Sequence, residues 1–323
     1  DIEAVVAAED AVAVELGQRR HAGADPHRGE VGVGVVGAVV GGAFLGDTEA
    51  GGAAAHVRAV AVAVQRVRVL DRGRGRGVGV QDAVGHRDDA AARAALQPPK
   101  LKLPAQSGAV SSLEGQALLQ SCGVQTAASK LATTADEAVA AAQMLGYPVV
   151  LKIESPDILH KTEAKGVALN LKDADAVRAS FTQLVANAKA YKTDARISGV
   201  LVQAMAQGDV ELVIGLKRDA SFGPVVMVGL GGVLIEVFKD VVFRVAPVTE
   251  GEAMRMLDEL KSRVVLDGVR GKPPVHKQAV AKMISAVSQF GAAAGPRLEE
   301  LDLNPVLAGA QGATAVDWLM LLD

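Results

Sequence analysis

PVVLKIESPDILHKTEAKGV, residues 148–167, is the stretch on which the reading of this chain turns. Val149, Val150, Leu151 and Ile153 form a β-branched and aliphatic run with the character of a buried strand, and Lys152 is its only charge. An ammonium near a core is costly unless an anion meets it. Phosphate is the anion the context suggests, because the strand runs straight into a loop carrying His160, Lys161, Lys165 and Gly166.

Outward from this stretch, the chain divides by composition. Residues 1–99 contain no Lys, Ser, Asn, Cys, Met, Tyr or Trp and consist mostly of Ala, Val, Gly, Arg, Asp and His. Alanine and glycine bury little area, and this half lacks periodic runs of large apolar residues, so residues 1–104 are expected to be a low-complexity, poorly ordered segment or an out-of-frame product. Gly32, Gly34 and Gly37 satisfy G-x-G-x-x-G, but no apolar strand precedes them, and chance in a glycine-rich text accounts for the match. Arg66, Arg68, Arg72, Arg74 and Arg76 read as a solvated loop, since no aromatic residue is there to stack on a base. His21, His27, His56 and His86 show no metal-ligand spacing. Pro98, Pro99 and Pro104, followed by small polar residues, mark a linker, with a boundary near residue 105.

The whole chain has 323 residues, half of them hydrophobic, and a formal net charge of −3. That balance argues against a nucleic acid or a membrane surface as the main partner. The run Val31–Gly46 is short of the roughly 18 apolar residues a spanning helix needs. A single cysteine, Cys122, excludes an intramolecular disulfide framework and fits a reducing cytoplasm. The start at Asp1, without an initiator methionine or signal-like segment, is read as a fragment or a processed product.

From Ser111 the text alternates between helical and strand patterns. Helices are expected from the Ser111/Ser112 cap through Gln120, over Asp136–Leu145, Ala174–Ala190, Glu250–Leu260 and Lys277–Ala293. Strands are expected at 149–153, Gly166–Leu171, Gly199–Gln203, Val210–Leu216, Val225–Val228, Glu300–Val306 and Thr314–Trp318. The mixture of hairpin-length and helix-length connections predicts an α+β or mixed α/β fold. Asp302 and Asn304 alternate with Leu301 and Leu303, so period-two geometry puts both oxygen-bearing side chains on one strand face. Hard oxygen ligands facing one way suit Mg²⁺ bridging nucleotide phosphates.

In order along residues 109–320, PVVLKIESPDILHKTEAKGV, the stretch from GVLVQAM to FRVAPV, GVRGKPP, ELDLNPV and the late AVD resemble the ATP-grasp domain of the NDP-forming acyl-CoA synthetases. These include ADP-forming acetyl-CoA synthetase and are related to the succinyl-CoA synthetase β subunit. The resemblance implies a two-lobed ATP-grasp fold over residues 105–323 that clamps ATP or ADP with Mg²⁺. It implies that Lys152, Lys161 and Gly166 meet the nucleotide phosphates, and that backbone groups of Gln203–Met205 read the adenine edge while their side chains carry little specificity. Glu211 would contact the ribose. Gly229, Gly231 and Gly232 would form a backbone nest for the acyl phosphate or phosphohistidine, with Arg244 and Asp240 holding the transferred group. Asp317 would join Asp302 and Asn304 as the metal set.

By the same resemblance His160 carries the phosphoryl group, for which a neutral imidazole is a suitable nucleophile. The implied reaction converts acyl-CoA, ADP and phosphate to carboxylic acid, CoA and ATP. It requires a CoA-binding subunit or domain, in an assembly expected to be oligomeric. Four positions depart from the family pattern: Lys165 where it has glycine, His276 where it has aspartate, and Trp318 and Leu319 where it has Ala-Arg. The alternative is a nucleotide-binding regulatory domain without turnover.

Overall fold

The computed structural model describes residues 91–323 apart from 233–239 and 270, and all of these fall in one unit. The N-terminal glycine, arginine and histidine patterns lie outside the described residues.

The described elements run β1 (Gly108–Ala109), α1 (Ser112–Ser121), β2 (Ser129–Ala132), α2 (Ala135–Leu145), β3 (Val149–Glu154), β4 (Val167–Leu171), α3 (Ala174–Tyr191) and β5 (Gly199–Ala204). They continue as β6 (Val210–Asp219), β7 (Gly223–Leu230), β8 (Val241–Val245), α4 (Glu250–Glu259), α5 (Lys277–Ala294), β9 (Leu298–Gly309), β10 (Gly312–Ala315) and β11 (Trp318–Leu322). Helix starts follow capping chemistry: Thr134 Oγ1 accepts from the Glu137 amide, Asp173 from Ala176 and Thr249 from Glu252.

Two sheets result. The smaller has the order β2-β5-β3-β4, the larger β1-β11-β9-β6-β7-β8 with β10 paired to β9, and every pairing between named strands is antiparallel. The expected α+β fold is therefore found, with α2 and α3 on one face of the smaller sheet and α4 and α5 on one face of the larger.

The parity of each strand decides which residues those helices cover. Val149, Leu151, Ile153, Val200 and Val202 are buried with α2 and α3 residues such as Ala138, Ala142, Val177 and Leu184. Leu212, Ile214, Leu216, Leu301 and Leu303 are buried with Met256, Leu257, Ile284 and Phe290 of α4 and α5. Each fully buried aliphatic side chain contributes roughly 1.5–3 kcal/mol. The opposite faces, freed from core duty, carry Lys152 on the smaller sheet and Asp302 and Asn304 on the larger.

Sequence and structure differ at particular places. Strands β1, β2 and β8 are short or carry charge, and the sequence patterns missed them as strands. The expected strand Thr314–Trp318 is broken at Val316-Asp317, between β10 and β11. The stretch read as a linker is partly anchored: Leu101 and Leu103 pack against the larger core, and Arg297 donates to the carbonyls of Pro104, Ala105 and Gln106. Among the described residues no helix is long and apolar enough to cross a membrane.

Candidate functional site

Lys152 is only 5% exposed. Its Nζ donates to the Val316 carbonyl at 2.5 Å and stands 3.6 Å from Asp317 Oδ2. Lys161 reaches the other oxygen of the same carboxylate, with Nζ 3.4 Å from Oδ1. Burial pushes the Lys152 ammonium below the usual lysine range, Lys161 adds to this, and Asp317 works against it. The anion demanded by the strand-borne lysine is thus present, supplied by the break between β10 and β11.

Asp317 is tied to the predicted metal pair by the backbone, since the Asn304 amide donates to the Asp317 carbonyl at 3.1 Å. Along β9 the expected alternation holds: Leu301 and Leu303 are buried, Asp302 and Asn304 half-buried. Asp302 pairs in register with Gly215 on β6 and Leu319 on β11, so neither neighbour offers a cation. Burial, with the Glu300 and Asp317 carboxylates nearby, pushes Asp302 up to about 7 against a hydrogen bond from Asn304. Glu300 is itself buried and paired with Lys217 at 3.3 Å.

No group of three or more His, Cys, Asp or Glu gathers as a metal cluster among the described residues. The Asp302, Asn304 and Asp317 set has a different composition, two carboxylates and an amide. It fits Mg²⁺ by the chemistry of its donors, all hard oxygens, and by the mutual repulsion of carboxylates that a cation would relieve.

His160 and Lys161 belong to the loop between β3 and β4. Asp157 anchors it, accepting from the Arg196 amide, Nε and Nη2 at 2.8, 3.0 and 2.9 Å. The loop closes where the Gly166 amide donates to the Lys161 carbonyl at 2.7 Å. A Cβ on Gly166 would come within 2.5 Å of Ile153 Cγ2, which explains the glycine. Lys165 has φ +48°, a left-handed conformation that favours glycine, and its carbonyl accepts from Asn187 Nδ2 at 2.8 Å. The His160 side chain is half-buried, and no described residue hydrogen-bonds its imidazole.

Glu211, Gly231 and Gly232 form a second group. The Gly231 amide donates to the Glu211 carbonyl at 2.7 Å, and a Cβ on Gly231 would press on Glu211 at 3.2 Å. Gly232 adopts φ +63° beside the Glu211 carboxylate, and Gly229 is buried within β7.

Gln203 is 2% exposed near the end of β5, while Met205 is 40% exposed and its amide donates to the Pro148 carbonyl at 3.3 Å. Arg244 is not brought to these residues. It pairs with Val226, whose side chain lies in the helix-covered core, and its guanidinium is shared between Glu252 and Glu259 of α4. The Asp240 carboxylate is likewise committed, accepting from the Lys261 and Ser262 amides at 2.9 and 2.7 Å.

Sequence reasoning missed two ties that set the geometry. Glu154, at the end of β3, accepts from the Ser112 amide and hydroxyl at 2.8 and 2.6 Å, fastening the start of α1 to the smaller sheet. The Asp157–Arg196 clamp also went unread. Neither has a local signature, because the partners are 42 and 39 residues apart.

A profile described as the ATP-grasp domain matches residues 102–322. The β subunit of ADP-forming acetate–CoA ligase I from Pyrococcus furiosus is 41% identical over 209 residues, 65% of this chain and 90% of that subunit. The ADP-forming acetate–CoA ligase I of Archaeoglobus fulgidus is 42% identical over 221 residues, 68% of this chain. The chain spans only 32% of that longer relative. Among solved structures, an acetyl-coenzyme A synthetase 1 of Ca. Korarchaeum cryptofilum, in complex with coenzyme A and Ca-AMPCP, superposes with a TM-score of 0.65 at 39% identity, covering 67% of this chain and 94% of that one. The order of the motifs, the two sheets and the extent of these matches lead to one conclusion: this chain belongs to the ATP-grasp domain family.

Proposed function

We propose that residues 105–323 are the nucleotide-binding half of an ADP-forming acyl-CoA synthetase. With a CoA-binding subunit or domain, it would interconvert acyl-CoA, ADP and phosphate with carboxylic acid, CoA and ATP. The observation that carries this reading is the meeting of Lys152 and Lys161 at one carboxylate beside the Asp302–Asn304 strand face. Two ammonium groups already held together offer a ready seat for a polyphosphate. The names and extent of the relatives supply the reaction class.

In this reading Lys152 and Lys161 bind and orient the phosphates, and Gly166 keeps the loop close. Asp302, Asn304 and Asp317 hold Mg²⁺, whose chemistry is to neutralise phosphate charge and set its geometry. Glu211 and the Gly229–Gly232 segment line the approach of ribose or acyl phosphate. His160 takes the phosphoryl group from acyl phosphate: an imidazole nitrogen forms the N–P bond as the P–O bond to the departing carboxylate breaks. The group then passes to the terminal oxygen of ADP, and the imidazole is restored.

Incubation with γ-labelled ATP and Mg²⁺ tests the relay in reverse. Acid-labile label on the wild type and none on His160→Ala is the expected result; label that survives the substitution refutes it.

One observation favours the alternative of a nucleotide-binding regulatory domain. Arg244 is held by α4, and Leu319 stands beside Asp302 where the family pattern has arginine, so no arginine of this set serves the transferred group. Stabilisation by ADP and Mg²⁺ without label transfer is the signature of that reading.

A further inference from the structure

We propose that Lys217 holds the terminal phosphoryl group passed between nucleotide and His160, the charge-bearing role expected of Arg244. This inference rests on the nucleotide-site reading above and adds to it a residue outside the expected set.

The face of the larger sheet turned away from α4 and α5 carries the metal strand. Glu300, Asp302 and Asn304 alternate there with Leu301 and Leu303, which are buried in the helix-covered core. Strand β6 runs beside β9, with Gly215 in register with Asp302 and Lys217 with Glu300. Leu216 belongs to the helix-covered core, so Lys217 projects onto the Asp302 face. By the same parity Arg218 and Arg244 lie on the opposite face, Arg244 in register with Val226 and held by Glu252 and Glu259. Among the described strands of this sheet, Lys217 is therefore the only cation on the face of Asp302.

Its own pairing leaves capacity for a ligand. Lys217 Nζ lies 3.3 Å from Glu300 Oε2 and makes no other hydrogen bond or ion pair among the described residues. An ammonium has three donors, so two are unused. Stability alone does not account for the pair. Apolar side chains commonly replace a buried ion pair at no cost, and Val213 and Met227 already form a buried apolar cluster beside it.

Position supplies the ligand. Diagonal neighbours on antiparallel strands lie roughly 7–8 Å apart, within reach of a long side chain. Lys217 is the diagonal neighbour of Asp302, and Gly215 between them adds no side chain; only Met227 comes within 4 Å of the place a Cβ would take. Glu211, Gly215 and Lys217 succeed one another along this face of β6, as ribose, metal-bound phosphates and terminal phosphate do along a nucleotide. When the terminal phosphorus leaves the ADP oxygen for the imidazole nitrogen, its three peripheral oxygens keep their negative charge. Lys217 offsets that charge without gaining or losing a proton. Glu300 anchors the ammonium; released from it, the lysine would pair with Asp302, the carboxylate assigned to Mg²⁺.

Calorimetric titration of the full chain with Mg²⁺ and either ADP or the β,γ-methylene analogue of ATP tests this. Lys217→Met is expected to weaken the analogue about tenfold or more and ADP less than about twofold. Lys217→Arg, which keeps the charge, should recover most of the loss. Because Lys217→Met also strands a buried carboxylate that could itself repel phosphate or impair folding, the decisive variant is Lys217→Met with Glu300→Gln, and thermal melts establish that each variant folds. Selective loss of the analogue that persists in the double variant supports a phosphate contact. Recovery to wild-type affinity in the double variant overturns the inference and leaves a structural ion pair. An equal loss for both nucleotides, or no loss, overturns it while the nucleotide site stands. If wild type binds neither nucleotide, the nucleotide-site reading fails and this inference with it.

Discussion

Lys152 on the smaller sheet is joined to Asp317, at the break between two strands of the larger one, with Nζ 3.6 Å from Oδ2 and the lysine only 5% exposed. A buried ammonium is tolerated because the carboxylate and the Val316 carbonyl meet it there. The same contact implies that a phosphate entering the site competes with Asp317 for both lysines, unless a cation engages the carboxylate first.

Function and stability should separate at this pair. Lys152→Met replaces a desolvated charge with an apolar chain of similar length, so its stability is expected to stay within about 1 kcal/mol of wild type or to rise. Its affinity for Mg·ATP is expected to fall at least tenfold. Asp317→Ala leaves the lysine without its carboxylate and should cost about 1–3 kcal/mol, less than a fully buried pair because Asp317 is 31% exposed. Denaturant melts and nucleotide titrations check both, and Trp318, the only tryptophan and next to Asp317, serves as the fluorescent reporter.

The Asp157–Arg196 clamp gives the His160 loop a pH dependence. Hydrogen bonds from Arg196, first from its side chain and then from its backbone, hold the Asp157 carboxyl far below the usual carboxylate range. A depressed carboxylate contributes stability that is fully present above its unfolded value near 4 and is lost as pH falls through its folded one. Amide exchange in residues 155–166 should therefore stay slow, after correction for intrinsic rates, from pH 7 down to about pH 4 and accelerate below it. Asp157→Asn should show the fast exchange already at pH 7.

Gly115 and Trp318 are complementary. A Cβ at Gly115 would lie 2.8 Å from Trp318 Nε1, which is fixed by its hydrogen bond to the Ser112 carbonyl at 3.1 Å. Alanine is the better helix former by about 1 kcal/mol, yet Gly115→Ala is expected to destabilise by about 1–2 kcal/mol through overpacking. Trp318→Ala should absorb that cost in the double variant, giving a coupling of about 1 kcal/mol or more in a thermodynamic cycle.

His276 caps α5, its Nδ1 accepting from the Ala279 amide at 3.1 Å. Aspartate caps at least as well and adds a negative charge at the positive end of the helix. His276→Asp is expected to raise stability by about 0.5–1 kcal/mol at neutral pH, read from urea midpoints. His276→Ala should lower it by a similar amount.

What could be read in advance was what repeats locally. The apolar run around Lys152 and the Leu-Asp-Leu-Asn alternation ending at Asn304 each carry their own period, so strand and face were legible before any contact was known. Arg244 shows the opposite case. Its strand neighbours place it opposite α4, where Glu252 and Glu259 take its guanidinium, and no spacing in KDVVFRVAP announces those partners. Lys165 falls between: its departure from glycine was visible, but the left-handed backbone that makes it matter was not.

By itself the sequence determined the α+β pattern, the ordered ATP-grasp motifs and the demand of Lys152 for an anion, because propensity, period and the cost of a buried charge act within a few residues. Only the tertiary structure decided which anion answers that demand in the free chain, where the histidine loop is pinned, and that Lys217 shares the face of Asp302. Those outcomes depend on residues up to 165 positions apart meeting across two sheets, and such meetings are set by global packing rather than by any local preference.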